Sequence, residues 1–191
     1  MFNNLKKGSA MKTYFVIALF AAATVSCSHK EKTVEATPST EAKTVAVQEE
    51  ATHVTEFGFK KGSSALTSDA KGDLQRLIDE AKKTGTIKEI KVITWGDKDY
   101  PSTETKKLSS AEVKLVKERN KAIENYIKSY DRSPDVDLYS MAERPNLLQD
   151  MLNTSDARIK KNLETAGIPH TDTTAKAPSK ASKSIVMVIM Q

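Results

Sequence analysis

The chain of 191 residues has one cysteine, one tryptophan, three histidines and only seven glycines. A single cysteine makes no internal disulfide, so the fold gains no staple from an oxidising compartment. The glycines form no phosphate-cradling loop. No G-x-S-x-G and no Cys-His arrangement is present. His29, His53 and His170 stand far apart without metal-ligand spacing, so no metal is expected. No acid or nucleophile is identifiable beside a base, so neither a cofactor nor an enzymatic activity is expected. The longest apolar run, Tyr14 to Ala23, is too short to span a bilayer comfortably.

A concentrated basic face is also lacking. The formal charge is +5, but residues 1–26 hold Lys6, Lys7 and Lys12 and no acid. Their removal lowers the net charge to +2, which gives no case for nucleic-acid binding. Hydrophobic residues make up 38% and mean hydropathy is −0.49, so a core in part of the chain and polar segments elsewhere are expected.

Residues 11–26, MKTYFVIALFAAATVS, have the layout of a secretory signal: a charged start, a short apolar middle and small residues at the exit. The rival reading is an anchor that stays attached. The preceding ten residues are either a longer charged start or an upstream start, with Met11 as the true one. Cys27 follows at once, in ATVSC. This resembles a bacterial lipobox with Thr24 where Leu is usual, and implies lipidation of Cys27; the alternative is a spare thiol. Acyl chains would anchor the protein to a membrane without spanning it. Ser28, rather than Asp, is the residue that resemblance associates with the outer membrane facing the periplasm. Residues 27–52 lack aromatics and a sustained apolar face, so with the lipidated cysteine they read as a disordered tether.

The folded part is expected over 53–191. Alternation in HVTEFGF predicts a strand. Leu66, Ala70, Leu74, Leu77, Ile78 and Ala81 predict a helix capped by Thr67 or Ser68 and closed by Gly85. Ile87 to about Trp95 reads as a second strand, and the polar turn TWGDKDY follows it. Ser109-Ser110-Ala111-Glu112 has capping-box spacing and opens a helix striped by Val113, Val116, Ile123, Tyr126, Ile127 and Tyr130. VDLYSMAE is a third strand, and residues 146–166 a third helix with a break near Asn153-Thr154-Ser155. The near-continuous apolar SIVMVIM at the C-terminus reads as a strand buried on both sides or paired inside a sheet. The expected fold is α+β, a two-layer sandwich in the order β-α-β-α-β-α-β, with helices packed on a four-stranded mixed sheet.

Phe57, Phe59, the Leu66-Thr67 pair and the helix after them resemble the opening of the OmpA C-terminal-like domain, in its peptidoglycan-associated lipoprotein form. Val92 and Asp97 fall on its next strand motif, with Trp95-Gly96 where the family has His-Thr. Arg119, Ile123, Tyr126 and Ile127 fall on its second helix. Glu143 and Pro145 match the end of a later strand. Ser182 to Ser184 stand where the family closes with Asn-Arg-Arg. The resemblance implies non-covalent binding of peptidoglycan. Asp97 and Arg119, 22 residues apart, would grip the ammonium and carboxylate of a diaminopimelate peptide stem. It implies an outer-membrane lipoprotein linking membrane to wall. The alternative left open is a domain that keeps the fold without peptidoglycan binding and docks an envelope protein partner. Asp97 and Asp99 also suit a polar turn, and Arg119 a surface cation paired along its helix.

Overall fold

Helix α1 (Thr40–Gln48) leads into strand β1 (His53–Gly58), helix α2 (Ser68–Thr84) and strand β2 (Ile87–Thr94). Helix α3 (Ser110–Tyr130), strand β3 (Asp135–Ser140), the short helix α4 (Leu147–Met151), helix α5 (Ser155–Thr165) and strand β4 (Lys183–Met190) complete the chain. The computed structural model describes residues 37–167 and 180–191. The signal-like segment, Cys27 and His170 lie outside these residues.

The sheet runs β1-β4-β2-β3. β4 inserts between β1 and β2 and is antiparallel to both. β2 and β3 are parallel, joined by α3 as the crossover that a parallel pair requires. The helices therefore pack on a four-stranded mixed sheet, as the alternation of apolar patterns predicts.

Period-2 alternation sends the central strands' side chains to two cores. Ile90, Val92, Val186 and Val188 pack with Leu74, Leu77 and Ile78 of α2 and Ile123 and Ile127 of α3. Ile93, Ile185 and Met187 pack on the other face with Val45 of α1, Ile159 and Leu163 of α5, and Trp95, Tyr100 and Tyr139. The sheet is thus the middle of three layers, with α1 and α5 adding one beyond the two-layer arrangement expected from sequence. β4 is apolar almost throughout because both its faces are covered.

The expected disordered tether needs correction, because α1 falls within it and is folded onto the sheet. Its three buried residues, Ala42, Val45 and Ala46, are too few to make a nine-residue helix stable in isolation. Polar bolts at both ends hold it. At the start, Ser39 caps the helix and donates to Glu56 Oε2 through both its N–H (3.2 Å) and its hydroxyl (2.6 Å). Lys180 Nζ completes this cluster, 2.7 Å from Ser39 Oγ and 3.0 Å from Glu56 Oε1. At the far end, Glu49 accepts from Lys91 Nζ and Asn162 Nδ2, each at 2.7 Å.

The expected third helix divides where its sequence breaks. Asn153 takes a left-handed φ of 46°, and Thr154 caps α5 by accepting from Ala157 N–H. α4 has its own capping box, made by Asn146 and Gln149.

Candidate functional site

The turn after β2 is fixed from three directions. The Thr94 hydroxyl lies 2.8 Å from Ser184 Oγ on β4. Trp95 is wholly buried among α1, α5 and the sheet. Its N–H donates to Lys183 O (3.0 Å) and its carbonyl accepts from Arg119 Nη1 (2.9 Å). At Gly96 the backbone is pressed against α3, and a Cβ there would overlap Glu112 Oε2 and meet Val116.

Glu112 explains that close approach. The Ser109-Glu112 capping box is only half made: Ser109 Oγ accepts from Glu112 N–H, but the Glu112 carboxylate accepts from Asp97 N–H at 2.7 Å. Gly96→Ala should therefore push Glu112 off that N–H and cost about 1.5–3 kcal/mol, the range for a hydrogen bond to a charged group. Urea denaturation checks this, with part of the cost recovered in a Glu112→Ala background.

Arg119 projects from α3 into the space enclosed by the turn and the β1–α2 loop. Its Nε donates to Ser63 O (2.9 Å), Nη1 to Trp95 O, and Nη2 to Lys60 O (3.3 Å) and Asp97 Oδ1 (2.6 Å). The guanidinium also lies over the Phe59 ring, 4.8 Å from its centroid. Asp97 Oδ1 further accepts from Ser182 Oγ at 2.7 Å, and Oδ2 from Gly62 N–H. Burial alone would raise the Asp97 pKa, but the hydrogen bonds from Ser182, Arg119 and Gly62 and the Arg119 charge outweigh it and hold it below the usual carboxylate range.

The two residues singled out from sequence therefore meet. They do so unequally: the Arg119 side chain is 0% exposed and the Asp97 side chain 9%. Arg119 is not the surface cation of its helix periodicity; its position on α3 faces the loops. Asp99 stands apart from the pair and accepts from Lys180 N–H at 3.2 Å. Ser182 is the member that sequence reasoning did not name as a site residue. Its φ of 61°, its N–H to Gly96 O and its carbonyl to Phe59 N–H fix it beside Asp97. The signal available was its place before the last strand.

As assembled, the site offers a partly reachable carboxylate to a cation, with a buried guanidinium behind it. A carboxylate ligand would reach Arg119 only if the surrounding loops moved. Among the described residues no group of three or more His, Cys, Asp or Glu is placed to hold a metal ion.

The sheet and its helices define an α+β protein of mixed topology. No family model matches the chain. No curated protein matches it. Among solved structures it is similar to the OmpA-like domain of FopA1 from Francisella tularensis subsp. tularensis SCHU S4, at 11% identity over 71% of this chain and 70% of that one, with a TM-score of 0.39.

Proposed function

We propose that this chain is a binding module of the cell envelope, not an enzyme, anchored by lipid at Cys27 in the outer membrane and facing the periplasm, and that it binds peptidoglycan non-covalently. The observation that carries the reading is the meeting of Asp97 with Arg119 at 2.6 Å across a separation of 22 residues. These are the two positions that the OmpA-like resemblance assigns to the peptide stem.

The roles are divided by exposure. Asp97 accepts the ammonium of the diaminopimelate end. Arg119 is a positioning residue that holds Asp97 charged and oriented. Co-sedimentation of Thr33–Gln191, which form one compact unit, with diaminopimelate-containing sacculi tests this. Asp97→Asn keeps the size of the side chain and should lower the bound fraction at least tenfold at a temperature where circular dichroism shows it folded, although losing the counter-charge of buried Arg119 lowers its urea midpoint.

A second reading has its own observation. Asp97 accepts three hydrogen bonds and Arg119 donates four, all within the protein, as in a structural clamp. In that case the folded parent does not sediment with sacculi, and the domain serves an envelope protein partner.

A further inference from the structure

α4 is turned inside out. A short surface helix ordinarily buries its apolar arc and exposes its polar one. Here Leu147, Leu148, Met151 and Leu152 are 78%, 62%, 83% and 68% exposed, and α4 has no buried residue. At 100° per residue these four fall within one arc, and Gln149 and Asp150 fall opposite. Such a cluster of exposed large apolar side chains marks a surface that something covers.

Two further observations point to what covers it. The cleft of about 520 Å³ beside α4 is lined by Leu147 together with Lys106, Arg144, Lys160 and Lys161, against only Asp150 and Glu164. Arg144 is paired with Glu164, and Lys160 with Asp156 outside the cleft, while Lys106 and Lys161 are exposed. Asp150 offsets one of these two exposed charges. A protruding apolar knob with cations at its base has the chemistry of an interfacial membrane contact.

The second observation is the length of chain before the fold. Cys27 precedes Thr37, the first described residue, by only ten positions. Ten residues reach at most about 35 Å even fully extended. Because α1 is folded onto the sheet, a lipid on Cys27 would hold the domain within that distance of the bilayer.

We infer that α4 is a membrane-docking tip that inserts Leu148, Met151 and Leu152 into the interface of an anionic bilayer. The inference rests on the lipid-anchored reading for its geometry, but its chemistry is testable without the lipid. Thr33–Gln191 should co-float with vesicles of phosphatidylethanolamine and phosphatidylglycerol, and bind phosphatidylcholine vesicles several-fold less. The double variant Leu148→Gln/Met151→Gln alters only exposed positions, so it should stay folded and lose at least tenfold in bound fraction. In Met151→Trp the emission should shift to the blue on adding the anionic vesicles, while buried Trp95 contributes a constant background.

Equal binding by the double variant, equal binding to neutral vesicles, or no flotation of the folded parent would each overturn the inference. So would concentration-dependent self-association that the double variant abolishes without any flotation, which would assign the face to a second copy. Acylation is read separately, by metabolic lipid labelling of the full chain against Cys27→Ser. Failure of the anchor and failure of the docking tip are therefore distinguishable.

Discussion

Arg119→Ala is expected to destabilise the domain by about 3–5 kcal/mol, the range for removing one partner of a buried ion pair. The substitution would leave the Asp97 carboxylate with a buried negative charge and two remaining donors, Ser182 and Gly62. It would also strip the carbonyls of Ser63, Trp95 and Lys60 of a shared donor; Lys60 O keeps the Ser63 N–H, whereas the buried Trp95 carbonyl loses this donor at a cost of its own. The guanidinium plane over Phe59 would be lost as well. Because these contacts tie the β1–α2 loop, the β2 turn and α3 together, the loss should appear as a global shift of the urea midpoint with an unchanged slope. Arg119→Lys keeps the charge and loses the planar fork, so it should fall between parent and Ala. A shift below about 1 kcal/mol for the Ala variant would mean that the loops are held by other contacts.

The second large effect is a loss of stability in acid, centred on Glu56. Burial would raise the pKa of this carboxyl. Hydrogen bonds from Ser39, Lys180 and Lys183 and the Lys180 charge outweigh it and bring it from 4.5 to about 2. A carboxyl whose folded pKa lies below its unfolded value binds more protons when unfolded. Its contribution is therefore complete above about pH 4.5 and is lost as pH falls toward 2. The shift corresponds to about 3 kcal/mol. Urea midpoints at pH 7, 4 and 3 should show a steep acid limb in the parent and a shallower one in Glu56→Gln. Asp97, Asp131, Glu49 and Glu143 are also held low and supply the limb that remains. The effect has a local signature too. Protonation of Glu56 weakens it as the acceptor of Ser39 and removes the counter-charge of Lys180, so amide exchange at Val45 and Ala46 in α1 should quicken before the global transition. Identical acid limbs in parent and variant would remove Glu56 from this role.

Much of the fold is legible from the residues. Leu74, Leu77 and Ile78 place α2, and Thr67 and Gly85 mark its ends. The apolar run of β4 follows from having both faces buried, and the break between α4 and α5 follows from Asn153 and Thr154. α1 was not legible, for a physical reason. Its own apolar surface is small, and the groups that dock it, Glu56, Lys91 and Lys180, lie in other parts of the chain. In sequence those residues read as solvated charges, and only pairing across 42 and 124 positions makes them interior.

The site divides in the same way. Asp97 and Arg119 could be named from sequence, because each falls on a position of a known pattern. Their depth could not, since helical periodicity assigns Arg119 a face only relative to a partner that is unknown until the loops fold over it. Nor could the fate of Glu112, whose capping role is a local signal overridden by an N–H 15 residues away.

The sequence by itself determined the four strands and the helices between them, with α1 missed, because period, caps and turn residues act within one or two turns of chain; the family resemblance supplied the two residues of the candidate site. The tertiary structure alone decided that the sheet lies between helices on both faces, that Arg119 is buried behind Asp97 and that α4 faces outward. Those outcomes depend on which distant groups satisfy one another's charges and hydrogen bonds, and no local pattern encodes that.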